Sequence, residues 1–298
     1  MQLADNCFTF GDRNMDLSNQ EASGDVEDRR GNKGKLAAGG GVVALVIALV
    51  AGYFGIDPRV AQQVAGNLGG GQQQKGEPPA DGYLKFSKQI LQSTNEVWDK
   101  QFPQNFGQKY KQPQMVLFSE QVDSGGCGVA PSSVGPFYCP ASNKVFLDPT
   151  FFNQLEKDLG GSKAEFSQAY VIGHEVGHHV QNLLGYNRRV EDFKKREGEN
   201  SGIRLELQAD YLAGVWAHHA KNKIRIDGRD IGEAMKTAQS IGDDRIQKKS
   251  RGWASPESFN HGTAEQRLKY FQKGFETGDA SKRALDYFFD PGIAPLKL

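Results

Sequence analysis

The sequence predicts an α+β fold, mostly helical with a small β-sheet or hairpin, preceded by one transmembrane helix. Three observations support this prediction. Residues 41–55 are apolar or small throughout. Two short β-prone segments, 137–139 and 144–147, flank a turn-like Pro-Ala-Ser-Asn. Beyond Phe151 the spacing of apolar residues is helical almost to the end of the sequence.

The charge balance limits the kind of partner. The 298 residues include 36 basic and 36 acidic side chains, so the formal net charge is zero. Binding of nucleic acid through its phosphates needs a basic stripe, which this sequence lacks, and we predict no nucleic-acid partner. Three cysteines make neither a disulfide framework nor a four-thiolate zinc site.

The predicted membrane span covers residues 36–56, which contain no charged side chain. As a helix this segment would be about 31 Å long, the thickness of a bilayer core. A buried core helix or a secretory h-region is the alternative, but the run is long for either and starts far from Met1. The preceding basic residues predict a cytoplasmic N-terminus and a domain outside; these are Arg29, Arg30, Lys33 and Lys35.

This gives four predicted parts. Residues 1–35 are expected to be a disordered cytoplasmic tail, and residues 36–56 a signal anchor that contacts the lipid bilayer. The Gly-, Gln- and Pro-rich residues 57–82 are a predicted flexible linker. The folded domain is expected over residues 83–298.

Within that domain the patterns predict helices and strands in a definite order. An amphipathic helix is expected over 84–102, a strand over 114–120 and a hairpin over 137–147. The remaining predicted elements are helices over about 164–184, 202–221, 229–247 and 263–276.

The first of these later helices carries the sequence His174-Glu175-Val176-Gly177-His178. His174 and His178 are one helical turn apart and face the same way, so both imidazoles can bind one Zn²⁺. Glu175 would then lie beside the water on the metal and could act as general base. The motif can also arise by chance, so a third ligand decides its meaning.

The next helix supplies a candidate third ligand. Glu206 and Asp210 are one turn apart on a common face. Glu206 would complete a His₂Glu site with one zinc ion per chain and an open fourth position. Asp210 would accept the free ring N–H of a ligand histidine. A solvated helix face is the alternative interpretation of this pair.

These motifs resemble those of the bacterial putative neutral zinc metallopeptidase family, which is gluzincin-like. The resemblance runs from about residue 25 to 290. The segments that carry it are DVEDRR at 25–30, VGPFYCP at 134–140, HEVGHHVQ at 174–181, RLELQAD at 204–210, IGDDRIQ at 241–247 and HGTAEQR at 261–267. The resemblance implies a zincin-like peptidase domain with zinc as cofactor, a polypeptide as substrate and an inner-membrane anchor.

The resemblance also suggests a role for His261. In related peptidases a histidine from a later segment stabilises the developing oxyanion. A hydrogen bond to the cap of the 263–276 helix is the alternative role for His261. His179 is rotated by about 100° from His178 on the helix and does not share the face of His174, so it is expected to pack or to contact a ligand. His218 and His219 lie two turns or more beyond Glu206; His218 could approach the ligand face, but a rim or surface role is expected for both.

The 137–147 hairpin is a candidate edge on which a substrate could add as a β-strand, or else an ordinary core hairpin. Cys127 and Cys139 lie on either side of the preceding Gly- and Pro-containing turn. Outside the cytoplasm they could form a disulfide, whereas a reduced pair would favour a cytosolic domain.

Three interpretations of the function remain open. The first is a zinc peptidase, most simply an endopeptidase, with Glu175 as catalytic base. The second is a non-catalytic, zinc-stabilised scaffold tethered to the membrane. The third is a helical binding module in which the motif is accidental and no metal binds.

Overall fold

A computed structural model describes residues 15–30 and 82–298 of the chain. Its strands are β1 Val26–Asp28, β2 Gln114–Leu117, β3 Gln121–Asp123, β4 Val129–Pro131, β5 Phe137–Cys139 and β6 Lys144–Leu147. Its α-helices are α1 Gly82–Phe106, α2 Phe151–Gln154, α3 Glu165–Leu184, α4 Tyr186–Glu197, α5 Gly202–Ala220, α6 Gly228–Ser240, α7 Asp243–Arg251, α8 Ala264–Thr277 and α9 Lys282–Asp286.

Four strands form the main sheet, in the order β1-β2-β6-β5. β1, β2 and β6 are parallel, whereas β5 runs antiparallel to β6 and lies at one edge. β2, β5 and β6 have almost entirely buried side chains, because their two faces are both covered. A separate pair, β3 and β4, is antiparallel.

The N-terminal segment 15–30 is part of this fold, and its prediction as a disordered tail was wrong. The β1 strand pairs with β2, with Val26 opposite Met115. The Gln89 side chain donates to the carbonyls of Leu17 and Gln20 at 2.8 and 2.9 Å. The composition of this segment did not reveal that it folds, because only a few of its residues are apolar. Two of these, Met15 and Val26, are nevertheless buried in the structure.

The predicted single-pass inner-membrane topology is corrected. The proposed span 36–56 lies outside the described residues, and within 15–30 and 82–298 no helix has the length and apolar character needed to cross a bilayer. The predicted fold class is therefore reduced to its helical α+β part, without the transmembrane helix.

Helix α5 lies at the centre of the helical layer, with α3 and α8 packed against it. Two glycines allow α8 to approach closely. A Cβ at Gly214 would lie 2.1 Å from the Phe271 carbonyl oxygen, and one at Gly274 would lie 2.0 Å from that of Tyr211. The predicted 229–247 helix is instead two helices, α6 and α7, because the chain turns at Gly242, where a Cβ would meet the Ala264 backbone.

The C-terminal segment is attached to the start of α5 through a fully buried guanidinium. Arg204 donates to both Glu197 carboxylate oxygens, at 2.7 and 2.8 Å. It also donates to the Phe288 carbonyl at 2.6 Å and to that of Ile293. These contacts compensate the buried charge and fix the turn of α5 that carries Glu206.

Candidate metal centre

His174, His178 and Glu206 lie together between α3 and α5. The Nε2 atoms of His174 and His178 are 3.3 and 3.5 Å from the two Glu206 carboxylate oxygens. One ligand atom from each residue lies within 4.8 Å of the others. A tetrahedral zinc ion with bonds of about 2.1 Å separates its ligands by about 3.4 Å, so this donor set fits zinc.

The close approach of α3 and α5 depends on Gly177, which lies between the two histidines. A Cβ at this position would be only 3.0 Å from the Ala209 carbonyl oxygen. The glycine therefore lets the helix with the two imidazoles lie directly against the helix with the carboxylate. The spacing of the motif and the packing of the helices act together to form the cluster.

Both ligand imidazoles are oriented through their other ring nitrogen. His174 Nδ1 is 2.8 Å from Asp210 Oδ1, as expected for a donor to this carboxylate. His178 Nδ1 is 2.8 Å from Gln181 Oε1, and the Gln181 amide donates to the Leu205 carbonyl at 2.6 Å. With Nδ1 protonated in each ring, both Nε2 lone pairs point toward Glu206 and are available to a metal.

Charge within the cluster shifts its pKa values in opposite directions. Burial alone would lower the pKa of His174, but the Asp210 carboxylate outweighs it and raises the pKa to about 10. Burial would raise the pKa of Glu206, but the His178 and His174 imidazoles hold it well below its usual range. A cation that replaces the proton of His174 would be stabilised by the same carboxylates.

Glu175 is buried beside the cluster, with 7 % of its surface exposed. Burial raises the pKa of its carboxyl above the ordinary value, although the nearby His178 and His174 oppose this. A raised pKa makes the carboxylate a stronger proton acceptor, which suits a general base near neutral pH.

His261 reaches the same region from the loop before α8, and its partner is an aspartate. His261 Nδ1 lies 3.0 Å from Asp243 Oδ1. Asp243 Oδ2 accepts the backbone N–H groups of Asn260, His261 and Gly262 at 2.7, 2.6 and 3.1 Å. The ring therefore bonds Asp243, not the cap of α8, which Thr263 and Gln266 make between themselves.

The electrostatics of His261 also place it near the metal ligands. Burial would lower its pKa, but the hydrogen bond to Asp243 and the charge of Glu206 raise it. The side chain keeps 40 % of its surface exposed. With Nδ1 held by Asp243, the Nε2 edge is the part left to meet a bound molecule.

The other histidines lie away from the cluster. His218 and His219 bond the carbonyls of Phe275 and Gly278 at the end of α8, at 2.7 and 2.8 Å. His179 is buried between the Tyr138 hydroxyl, 3.0 Å from Nδ1, and the Lys111 carbonyl, 2.6 Å from Nε2. None of the three joins His174, His178 and Glu206.

The burial of His179 predicts that the folded protein loses stability at low pH. Burial lowers its pKa from 6.5 to about 4, so the folded protein keeps this ring neutral where the unfolded chain protonates it. The stabilisation that depends on a neutral His179 is fully present above pH 6.5, and the free energy of unfolding loses it as the pH falls toward 4. The difference between these pKa values corresponds to about 3 kcal/mol.

We therefore expect the free energy of unfolding of wild type to fall more steeply than that of His179→Gln between pH 7 and pH 4. Urea titrations of both proteins with chelator present, at several pH values, measure this difference. A constant difference between the two proteins across this range would contradict the assignment of a neutral buried His179.

The hairpin of β5 and β6 lies next to α3, and a disulfide joins it to the β3–β4 loop. The edge strand β5 is tied to the helix by Tyr138, whose hydroxyl contacts His179 and accepts from Asn182 at 3.0 Å. Cys127 and Cys139 form a disulfide with their Cα atoms 5.9 Å apart. The bond attaches the edge strand to the loop between β3 and β4.

Sequence reasoning missed four residues that shape the cluster. Gln181 orients His178, Asp243 orients His261, and Tyr170 and Arg267 both contact Asp210. Asp243 and Arg267 belong to the segments 241–247 and 261–267 that carry the family resemblance, so a signal for them was present. Tyr170 lies one turn before His174, where helical spacing already places it near the metal ligands.

Comparison with known proteins places the chain among related sequences. A family model described as "Putative neutral zinc metallopeptidase" matches residues 15–284. "Uncharacterized protein YpfJ" of Escherichia coli (strain K12) is 38 % identical over 288 residues, which cover 90 % of this chain and 97 % of the relative. "Uncharacterized protein Rv2575" of Mycobacterium tuberculosis is 42 % identical over 197 residues, covering 63 % of this chain and 65 % of the relative. No solved structure matches.

Proposed function

Since the chain belongs to the putative neutral zinc metallopeptidase family, we propose that it hydrolyses peptide bonds with one zinc ion held by His174, His178 and Glu206. The observation that carries this proposal is the meeting of three ligand atoms within 4.8 Å, with each imidazole oriented by a second hydrogen bond. Zinc in such a site lowers the pKa of a bound water toward neutrality and polarises a carbonyl group.

The side chains around the cluster would carry the proton and the developing charge. Glu175 accepts a proton from the attacking water and then returns it to the departing amine. Its burial beside the cluster and its raised pKa support this role. His261 donates from Nε2 to the oxyanion that forms on the substrate carbonyl, while Asp243 holds Nδ1.

A polypeptide substrate would lie along β5. This strand is last in the sheet order, and an added strand would pair along its outer side. Tyr138 links the strand to α3 through His179 and Asn182. The disulfide at Cys139 further restricts the strand. This arrangement supports an endopeptidase that recognises extended backbone.

The test is metal analysis combined with peptide cleavage on the full chain, because β1 from residues 26–28 belongs to the sheet. We expect about one zinc per chain, and cleavage of a proteome-derived peptide library that a chelator abolishes and added zinc restores. The diversity of the library makes a narrow cleavage preference visible by mass spectrometry. His219→Ala, which removes a histidine outside the cluster, serves as control and should behave as wild type.

Two outcomes would contradict the proposal in different ways. Folded protein that takes up no zinc would refute the metal site. Zinc without cleavage of any library peptide would refute the peptidase and favour the zinc-stabilised scaffold.

A further inference from the structure

Asp210 is a fully buried carboxylate that binds donors from two neighbouring helices. Its Oδ1 accepts the Tyr170 hydroxyl at 2.5 Å, lies 2.8 Å from His174 Nδ1 and accepts Arg267 Nη2 at 3.0 Å. Its Oδ2 accepts Arg267 Nε at 2.8 Å. Tyr170 and His174 belong to α3, Asp210 to α5 and Arg267 to α8, so one carboxylate joins three helices.

The Arg267 guanidinium makes the burial of this carboxylate possible. Side-chain exposure is 3 % for Arg267 and 0 % for Asp210. Burying an unpaired carboxylate costs free energy, whereas a bidentate contact with an arginine supplies both a compensating charge and a fixed geometry. His174 therefore meets an acceptor whose position is fixed and whose charge is balanced.

Tyr170 fixes the same oxygen from the other side. It lies one helical turn before His174 on α3, and its hydroxyl donates to the oxygen that His174 contacts. The phenol ring is completely buried and packs edge-on against Phe271 of α8, with ring centroids 5.1 Å apart. The packing of the ring therefore fixes the direction in which the hydroxyl donates its hydrogen bond.

We propose that Tyr170 and Arg267 are positioning residues of the zinc site, which hold Asp210 so that His174 keeps its proton on Nδ1 and presents Nε2 to the metal. Neither residue is among the three groups that would hold the metal. The inference rests on the metal half of the proposed function and does not depend on hydrolysis. It also makes the docking of α8 and the affinity for zinc mutually dependent.

The test compares zinc affinity in matched variants. Tyr170→Phe removes one oxygen atom, and Arg267→Gln removes both the positive charge and the pair of guanidinium hydrogen bonds to Asp210. The control is Tyr211→Phe, which also deletes a buried tyrosine hydroxyl, one that donates to the Asp279 carbonyl at 2.7 Å. Zinc dissociation constants are measured by competition with a chromophoric chelator, under conditions in which circular dichroism shows each protein folded.

We expect about 10- to 100-fold weaker zinc binding for Tyr170→Phe and for Arg267→Gln, the usual effect of losing a group that orients a metal ligand. Tyr211→Phe should stay within about 3-fold of wild type, because its hydroxyl has no contact with Asp210. Arg267→Lys, which keeps the charge, should recover part of the loss.

A purely structural role would lower the unfolding free energy of the metal-free variants and leave their zinc affinity unchanged. Wild-type affinity in folded Tyr170→Phe would overturn the proposal, even if Arg267→Gln failed to fold. Wild-type protein that binds no zinc would instead refute the proposed metal site. The two failures are therefore distinguishable.

Discussion

Glu175→Gln is expected to retain about one zinc per chain and to lose peptide hydrolysis by about 1000-fold or more. General acid–base groups contribute about 10²–10⁴-fold to a rate, and Glu175 would serve in both proton transfers. Glutamine has the same shape but cannot accept the proton. Because Glu175 is not among the three ligand groups, zinc uptake should be preserved.

Initial rates on a peptide substrate, with metal analysis of the same samples, check this expectation. Glu165→Gln is the control, since it makes the same chemical change at an exposed position in the first turn of α3. Hydrolysis by Glu175→Gln within about 10-fold of wild type would exclude Glu175 as the general base.

Glu206→Ala has the second large expected effect, which is on metal affinity. We expect zinc binding to weaken by more than about 100-fold, the upper range for residues that only hydrogen-bond a ligand. Without Glu206, only two imidazoles remain to bind the ion. The site then lacks one ligand and also the only negatively charged group among its three ligands. Loss of hydrolysis should follow from loss of the metal.

Chelator competition measures the zinc affinity of the variant directly. Glu265→Ala removes an exposed glutamate from α8 and should leave zinc affinity unchanged. Glu206→Gln, which keeps an oxygen donor without the charge, should lie between alanine and wild type. Tight stoichiometric zinc in Glu206→Ala would mean that a different residue is the third ligand.

Short-range patterns carried the successful part of the sequence analysis. The resemblance to the zinc metallopeptidase family is confirmed by the family match. His174 and His178 are one turn apart on one helix, and Glu206 follows on the next long helix; the helical spacing together with the His₂Glu ligand pattern suggested that they could meet. The structure places all three together, with Asp210 at the outer nitrogen of His174.

Long-range pairing explains what the sequence concealed. β1 is three residues with one buried side chain, and only its pairing with β2 makes it a strand. The donors to Asp210 come from positions as far along the chain as Arg267, and no spacing rule connects them. The apolar run at 36–56 gave a strong local signal for a membrane span, but it lies outside the described residues, among which no helix is long and apolar enough to cross a bilayer.

The attachment of Arg204 to the C-terminal segment has a consequence for synthesis on the ribosome. Its acceptor at Phe288 is made 84 residues later, well after the metal ligands His174, His178 and Glu206 have left the tunnel. A nascent chain can therefore possess every zinc ligand while Arg204 still has only the Glu197 carboxylate. The complete helical packing around the cluster is reached only after Phe288 and Ile293 have been made. Until then the growing chain holds an arginine whose charge Glu197 balances but whose hydrogen bonds are only partly made, beside its metal-binding helix.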